Sequence, residues 1–426
     1  MKLRLLVLSI AAAALAVPAA VPSGAATPGQ AIVGVFPGYD VSTLDTTNGG
    51  IVGPYLQPDV GVPTTGTGSY LTAMNAWQGK RNSVITFYDG IDSNMFKTWA
   101  PAIWDTYHAV PFVSMTTDPP ADVLAGKDDG SLTQFATELK TWLSGAADTF
   151  QQSQTTHRRL YLRLDWEANG SWYAYSPTNG GTLGSSGPTS CSDLAAREQA
   201  YRLMWRYVHD KVMPGIDPTD VAWVFSVNSE DVVPATLQGC GAASDVTTSL
   251  YPGDAYVDWT GIDGYGFCTS DAGVPTQSPA QVFAPMVARL RAITSKPLSV
   301  DEVGASTASR IQTSNFVTKN TCSDGATKGR WVRDYLAYLE AAGIRMSLWF
   351  NADIYEGSEP IDWAVFALAG PQDVVGNGDS SYPDPTTTLP YNAYAEYPAG
   401  LASPWFLDAG TSNPRVLTDA QFLGTW

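Results

Sequence analysis

RLYLRLDWEANGSWYAYSP, residues 159–177, changes character halfway through, and its reading decides the fold. Leu160, Leu162 and Leu164 alternate with Tyr161, Arg163 and Asp165, a period of two that predicts a strand. The strand runs into a carboxylate, Glu167, and breaks at Asn169-Gly170-Ser171. Trp166, Trp172, Tyr173 and Tyr175 crowd the turn. A glutamate closing a buried strand beside an aromatic loop suits a site that stacks on a sugar and protonates it. Apolar sugar faces lie on rings, and desolvation lets a glutamate keep a proton near neutral pH.

Seven more strands are predicted outward from this one. AIVGVF (31–36), SVITFY (83–88) and VPFVSM (110–115) precede it. VAWVFSV (221–227), a strand within YVDWTGIDGY (256–265), PLSVDEVG (297–304) and IRMSLWF (344–350) follow. Near-continuous apolar runs mark strands covered on both faces. Between them, helical character is read at 70–77, at 96–107 with a kink at Pro101, at 132–150, from a cap at Asp193 to Met213, at 279–293 and at 331–342 closed by Gly343. Residues 361–369 are read as a last helix. Eight strands mostly alternating with helices predict an α/β chain of the closed (β/α)8 TIM barrel type, with long loops after the strands. The alternative is an open doubly wound sheet, against which no GxGxxG follows the first strand.

Lys2 and Arg4, the apolar run 5–17 and the small residues after it read as a secretory signal over residues 1–26. The apolar run is shorter than the ~20 residues a membrane span needs. Residues 27–370 form the expected catalytic barrel, and 371–426 an irregular extension expected to pack on it. Charged residues are only 15 % of the chain, yet the balance is −17, which argues against nucleic acid or an anionic membrane as partner. A neutral polysaccharide fits better, met by a secreted, extracellular monomer. Four cysteines in a secreted chain predict two disulfides. Neighbouring loops are the easiest to join, so Cys191–Cys240 and Cys268–Cys322 are the expected pairs.

No HExxH and no GxSxG occur, so neither a metal hydrolase nor a lipase-type triad is expected, and no cofactor. Of nine glutamates, two close predicted strands: Glu167 after the fourth and Glu302 after the seventh. Those strand ends face each other across an eight-stranded mouth. Two carboxylates so placed suit glycoside hydrolysis. The bland alternative makes Glu302 a solvated loop acid and Glu167 a salt-bridge partner of Arg163. Tyr39 and Tyr88 close the first two strands and are placed to reach a substrate.

Three segments resemble glycoside hydrolase family 26. RLDWEANGSWYAYSP is similar to its acid/base segment, R-x-x-H-E-M-N-G-x-W-Y-x-W. YPGDAYVDWTGIDGY (251–265) is similar to Y-P-G-D-x-Y-V-D-x-x-G-x-D-x-Y, and SVDEVG (299–304) to the strand that ends E-x-G. The resemblance covers residues 31–370. It implies a clan-A barrel and a retaining mechanism, with Glu167 as acid/base and Glu302 as nucleophile. It also implies that Tyr265 hydrogen-bonds the nucleophile, that Trp349 floors the subsite of the attacked sugar, that Trp172 lines the cleft and that Asn169 positions the acid loop. The family histidine before the acid is Trp166 here, and its methionine is Ala168, which leaves the polysaccharide open: β-1,4-mannan first, mixed-linkage β-glucan or β-1,3-xylan otherwise. The alternative of another class is a barrel that binds carbohydrate without cleaving it.

Overall fold

The computed structural model describes residues 29–37, 70–93, 95–97, 99–106, 108–145, 157–179, 186–268, 277–309, 325–356, 359–368, 380–382, 391–407 and 417–426. The segment 1–26, Tyr39 and Cys322 lie outside the described residues. Eight parallel strands follow one another around a closed barrel: β1 (Ile32–Phe36), β2 (Val84–Gly90), β3 (Val110–Thr116), β4 (Leu160–Leu164), β5 (Val221–Asn228), β6 (Trp259–Cys268), β7 (Leu298–Ser309) and β8 (Met346–Phe350), with β8 pairing back onto β1. Each of the eight expected strands is present within a few residues of its expected bounds.

Helices cover the barrel for the reason amphipathic periodicity gives. Over Asp129–Leu143, Leu132, Phe135, Ala136, Leu139 and Trp142 are buried, a single stripe at three- and four-residue spacing. Helix Pro279–Ile293 begins with a capping box between Ser278 and Gln281. Helix Gly325–Ala342 ends where Gly343 takes a φ of +64°, a left-handed turn that costs glycine nothing. Helix Cys191–Val212 is capped by Ser190 rather than Asp193. The Ser190 hydroxyl accepts from Asp193 N at 3.2 Å, and Asp193 instead accepts from Thr189 N at 2.9 Å and pairs with Arg197. The helix expected at 96–107 is a single turn, Trp99–Pro101, followed by a wide π turn, Ala102–Thr106.

The helix expected over 361–369 is absent. Glu359–Asp362 pairs antiparallel with Asp353–Glu356, and Phe366–Leu368 pairs with Tyr391–Ala393. The cause is Asn351, buried at the end of β8. Its Oδ1 accepts from Val365 N (2.8 Å) and Phe366 N (3.2 Å), and its Nδ2 donates to Phe366 O (2.8 Å). Those backbone groups are what a helix would have used. Residues 404–407 and 417–426 lie at the opposite end of the barrel. Leu407 N donates to Ala31 O (2.7 Å), Trp259 Nε1 to Phe422 O (2.9 Å), and Arg159 pairs with Asp419 at 3.1 Å. One disulfide, Cys191–Cys240, joins the start of the long helix to the loop after β5. Cys268 closes β6, and its expected partner Cys322 falls outside the described residues.

Candidate active site

The carboxyl end of β4 is held in a conformation that its residues do not choose. Asp165 has φ +42° and Glu167 φ +54°, the left-handed region that non-glycine residues rarely enter, at a cost on the order of 1 kcal/mol or more each. Hydrogen bonds fix both. The Asp165 carboxylate accepts from Thr117 N (2.9 Å) and Thr117 Oγ1 (2.7 Å), and its carbonyl accepts from Tyr201 OH (2.9 Å). The Trp166 carbonyl accepts from Tyr175 OH at 2.9 Å, and Glu167 N donates to Ser226 O of β5 at 3.0 Å. The strained turn aims the Glu167 side chain into the mouth.

There Glu167 accepts two hydrogen bonds from neutral donors: Asn228 Nδ2 on Oε1 at 2.8 Å and Trp172 Nε1 on Oε2 at 2.9 Å. Burial raises its pKa to about 7, and the charge of Glu302 adds to the rise; Asn228, Trp172 and the Arg163 charge oppose it. Asn169, fully buried, fixes the geometry. Its Oδ1 accepts from Asn228 N (2.8 Å), and its Nδ2 donates to Asn228 O (2.9 Å), Glu230 O (3.2 Å) and Asp231 Oδ1 (3.0 Å). Asn169 therefore stitches the acid loop to the end of β5.

Glu302 reaches the mouth differently. Between Val300 and Val303, β7 carries an irregularity against both neighbours: Ile262 pairs with Val300 but Asp263 with Glu302, and Val300 pairs with Ser347 but Val303 with Trp349. This is a β-bulge, which re-aims a side chain. Glu302 Oε1 accepts from Arg163 Nη2 at 2.6 Å and Oε2 from Tyr265 OH at 2.6 Å. Arg163 is fully buried. It donates from Nη1 to both oxygens of Asp263 at 3.0 Å and from Nε to Ser114 Oγ at 2.8 Å. The bland expectation for Arg163 is thus corrected: it pairs with Glu302 and Asp263, not with Glu167, and Glu302 is buried rather than a solvated loop acid.

Aromatic rings wall this pair. The Arg163 guanidinium lies 5.1 Å from the Trp166 ring centroid and 5.4 Å from that of Tyr88. Trp166 packs between Tyr88 and Tyr173, 5.3 Å from each. Trp172 stands at the edge, 37 % exposed. Trp349 is not brought to the mouth. Its ring is buried outside the strand against Tyr335 and Tyr397 of the surrounding helices, and its Nε1 donates to Trp363 O at 3.0 Å. The next residue, Phe350, faces inward, 4.6 Å from Phe36 and 6.1 Å from Tyr265. Trp363 lies 4.6 Å from Tyr265. Sequence reading missed Phe350, Trp363 and Asn228. Only Asn228 left a signal, as an amide closing an apolar strand. In β8 both faces are buried, so alternation does not say which one looks into the barrel.

Among the described residues no cluster of three or more His, Cys, Asp or Glu side chains is placed to hold a metal ion, and no helix is long and apolar enough to cross a membrane.

The chain is similar to known proteins in sequence and in fold. The sequence profile of glycosyl hydrolase family 26 matches residues 113–318, which include Glu167, Tyr265 and Glu302. Endoglucanase H of Acetivibrio thermocellus is 25 % identical over 315 residues, 72 % of this chain, and the chain spans only 27 % of that protein's length. The catalytic domain of a family 26 endo-β-1,4-mannanase from Bacillus sp. JAMB-750 superposes with a TM-score of 0.52 at 16 % identity, covering 92 % of this chain and 90 % of the other. GH26C from a Muricauda species superposes at 0.51 and 12 % identity, with the same coverage. These superpositions speak for the fold alone. The profile and the sequence relative make the stretch that carries both glutamates similar to glycosyl hydrolase family 26.

Proposed function

We propose that the chain is a retaining endo-β-glycanase acting on a β-1,4-linked polysaccharide, with mannan as the first substrate to test. The observation that carries the mechanism is the contrast between the two glutamates. Glu167, buried among neutral donors and pushed up to about 7, suits the group that protonates the leaving oxygen. Glu302, bound by a guanidinium and a phenol, suits the group that attacks the anomeric carbon. In the first displacement a Glu302 oxygen bonds to that carbon as the glycosidic bond breaks and its oxygen takes the Glu167 proton. In the second, Glu167 removes a proton from water, which attacks the same carbon and frees Glu302.

Tyr88, Trp166, Tyr173 and Phe350 are assigned to stacking on the sugar ring, Trp172 to the edge where the leaving chain departs, and Asn169 to holding the acid loop. Trp349 acts only behind the strand. A second reading, a β-glucanase, is favoured by the sequence relative, which is called an endoglucanase, and by Trp166, an apolar ring where the resembling segment has histidine. We also propose that residues 1–26 direct the chain out of the cell and are removed.

The test is reducing-sugar release from β-1,4-mannan, mixed-linkage β-glucan, β-1,3-xylan and arabinan, with Glu302→Ala as control. Release from one polymer, lost in the variant, fixes the substrate. The anomeric form of the first product, followed by NMR, decides retention; an inverted product ends the double-displacement reading.

A further inference from the structure

The β7 bulge that presents Glu302 brings a second carboxylate into the barrel. Asp301, 1 % exposed, is the extra residue of the bulge. It points into the interior rather than out between strand and helix. Its position is fixed by Gly261 on β6: a Cβ there would lie 1.7 Å from Asp301 Oδ2 and 2.9 Å from Ser226 Oγ. Only glycine at 261 leaves the space that the Asp301 carboxylate fills.

The surroundings do not suit a third anion. Arg163 already pairs with Asp263 and Glu302, and among the described residues Asp301 makes no ion pair of its own. Neither of its oxygens accepts a well-formed hydrogen bond. The two hydroxyls beside it favour its ionised form, but each makes its well-formed bond to another oxygen: Ser226 Oγ donates to Asp263 Oδ1 at 3.2 Å, and Ser299 Oγ to Thr260 O at 3.3 Å. Tyr335, on the helix outside the strand, acts on it only through charge, its hydroxyl being bonded to Ser347 Oγ at 2.7 Å. A buried charge without a partner costs far more than a buried neutral acid.

We infer that Asp301 is a positioning residue held as the carboxylic acid, so that no third anion competes for Arg163 and the guanidinium stays shared between Asp263 and Glu302. This inference rests on Glu302 as the nucleophile. In chemical terms Asp301 gives up no proton during turnover. Its neutrality keeps the guanidinium on Glu302, and its ionisation would draw Arg163 away and repel the nucleophile.

Burial moves the Asp301 pKa up to about 6, with Arg163, Ser299 and Ser226 opposing and Glu302 adding. The folded chain therefore holds a proton that the unfolded chain releases near pH ~4. Stability linked to that proton is present below pH ~4 and is lost as pH rises through about 6. The experiment compares Asp301→Asn with the parent in thermal unfolding across this range, and in kcat/KM against pH. The amide keeps a donor and cannot ionise. The variant should gain in midpoint over the parent as pH rises, and the alkaline limb of its rate profile should be shallower. A midpoint difference constant with pH, or superimposed limbs, overturns the inference. If Asp301→Asn does not fold, Ser226→Ala serves: loss of a hydroxyl that opposes the rise should move the parent's stability loss up by ~0.5–1 pH unit, and an unmoved profile is fatal to the idea. The unfolding measurement needs no substrate, so it stands even if no polysaccharide is cleaved. Absence of turnover would then count against the proposed function alone.

Discussion

The end of β4 and the end of β7 each deliver a buried glutamate to the same mouth, by opposite means. At β4 the backbone is strained, with two residues at positive φ, and the carboxylate meets an indole and an amide. At β7 the backbone bulges, and the carboxylate meets a cation and a phenol. Burial is equal, 7 % exposure for both, so burial alone does not divide the labour. The partners do. Neutral donors leave a desolvated carboxyl free to hold a proton. A guanidinium compensates the negative charge that a nucleophile must carry.

The most severe way to break the comparison is to remove each carboxylate in turn. Glu302→Ala should lower kcat on polysaccharide by on the order of 10⁴-fold or more, since the attacking group is gone. Glu167→Ala should cost less, ~10²–10⁴-fold, and least on substrates whose leaving group needs no proton. Added azide sharpens the test. In Glu302→Ala it attacks from the vacated face and gives a product of inverted configuration. In Glu167→Ala it captures the covalent intermediate and gives a retained one. NMR of the azide products distinguishes the two, and identical products from both variants would erase the assigned difference.

Glu167 also carries a stability consequence of known sign. Its folded pKa, about 7, lies above its ordinary value of 4.5. The folded chain binds a proton that the unfolded chain has released, so stability is lost as pH rises between those values. Glu167→Gln removes the loss. Its thermal midpoint should overtake the parent's as pH rises toward about 7, while activity falls. A midpoint difference that does not change with pH would mean that the glutamate is not held protonated.

These two strand ends also differ in how well they could be read. Periodicity, turn residues and the lengths between them were enough for the barrel, because a strand buried on both faces leaves a near-continuous apolar run. Both glutamates were legible as acids closing such runs. The partners of Glu302 were half legible: Tyr265 comes with its motif, but Arg163, close to Glu167 in sequence, spans the barrel to reach residues 100 and 139 positions away. Trp349 failed for a geometric reason, since parity in a doubly buried strand is set by pairing rather than pattern. The strand at 366–368 failed because its backbone is claimed by Asn351, a tertiary contact that local propensity does not contain.

Tyr265→Phe tests the β7 side with a smaller effect. Losing a hydrogen bond to a charged acceptor costs ~1.5–3 kcal/mol, about 10- to 100-fold in kcat/KM if the bond serves the reacting state. The ring itself stays packed on Trp363 and Phe350. An effect confined to thermal stability, with kcat/KM intact, would make Tyr265 a packing residue only.

The least disruptive change is Trp172→Phe, and it tests the β4 side most directly. The ring stands at the edge of the mouth, so phenylalanine can fill its place, and what disappears is the indole N–H on Glu167 Oε2. That bond is one of the contacts opposing the rise in the Glu167 pKa. Its loss should move the alkaline limb of kcat/KM to higher pH by ~0.5–1 unit, the equivalent of one neutral hydrogen bond. The plateau rate should change only a few-fold. Movement toward lower pH would mean that the indole stabilises the acid rather than the carboxylate, and the division between neutral and charged partners would then have to be drawn elsewhere.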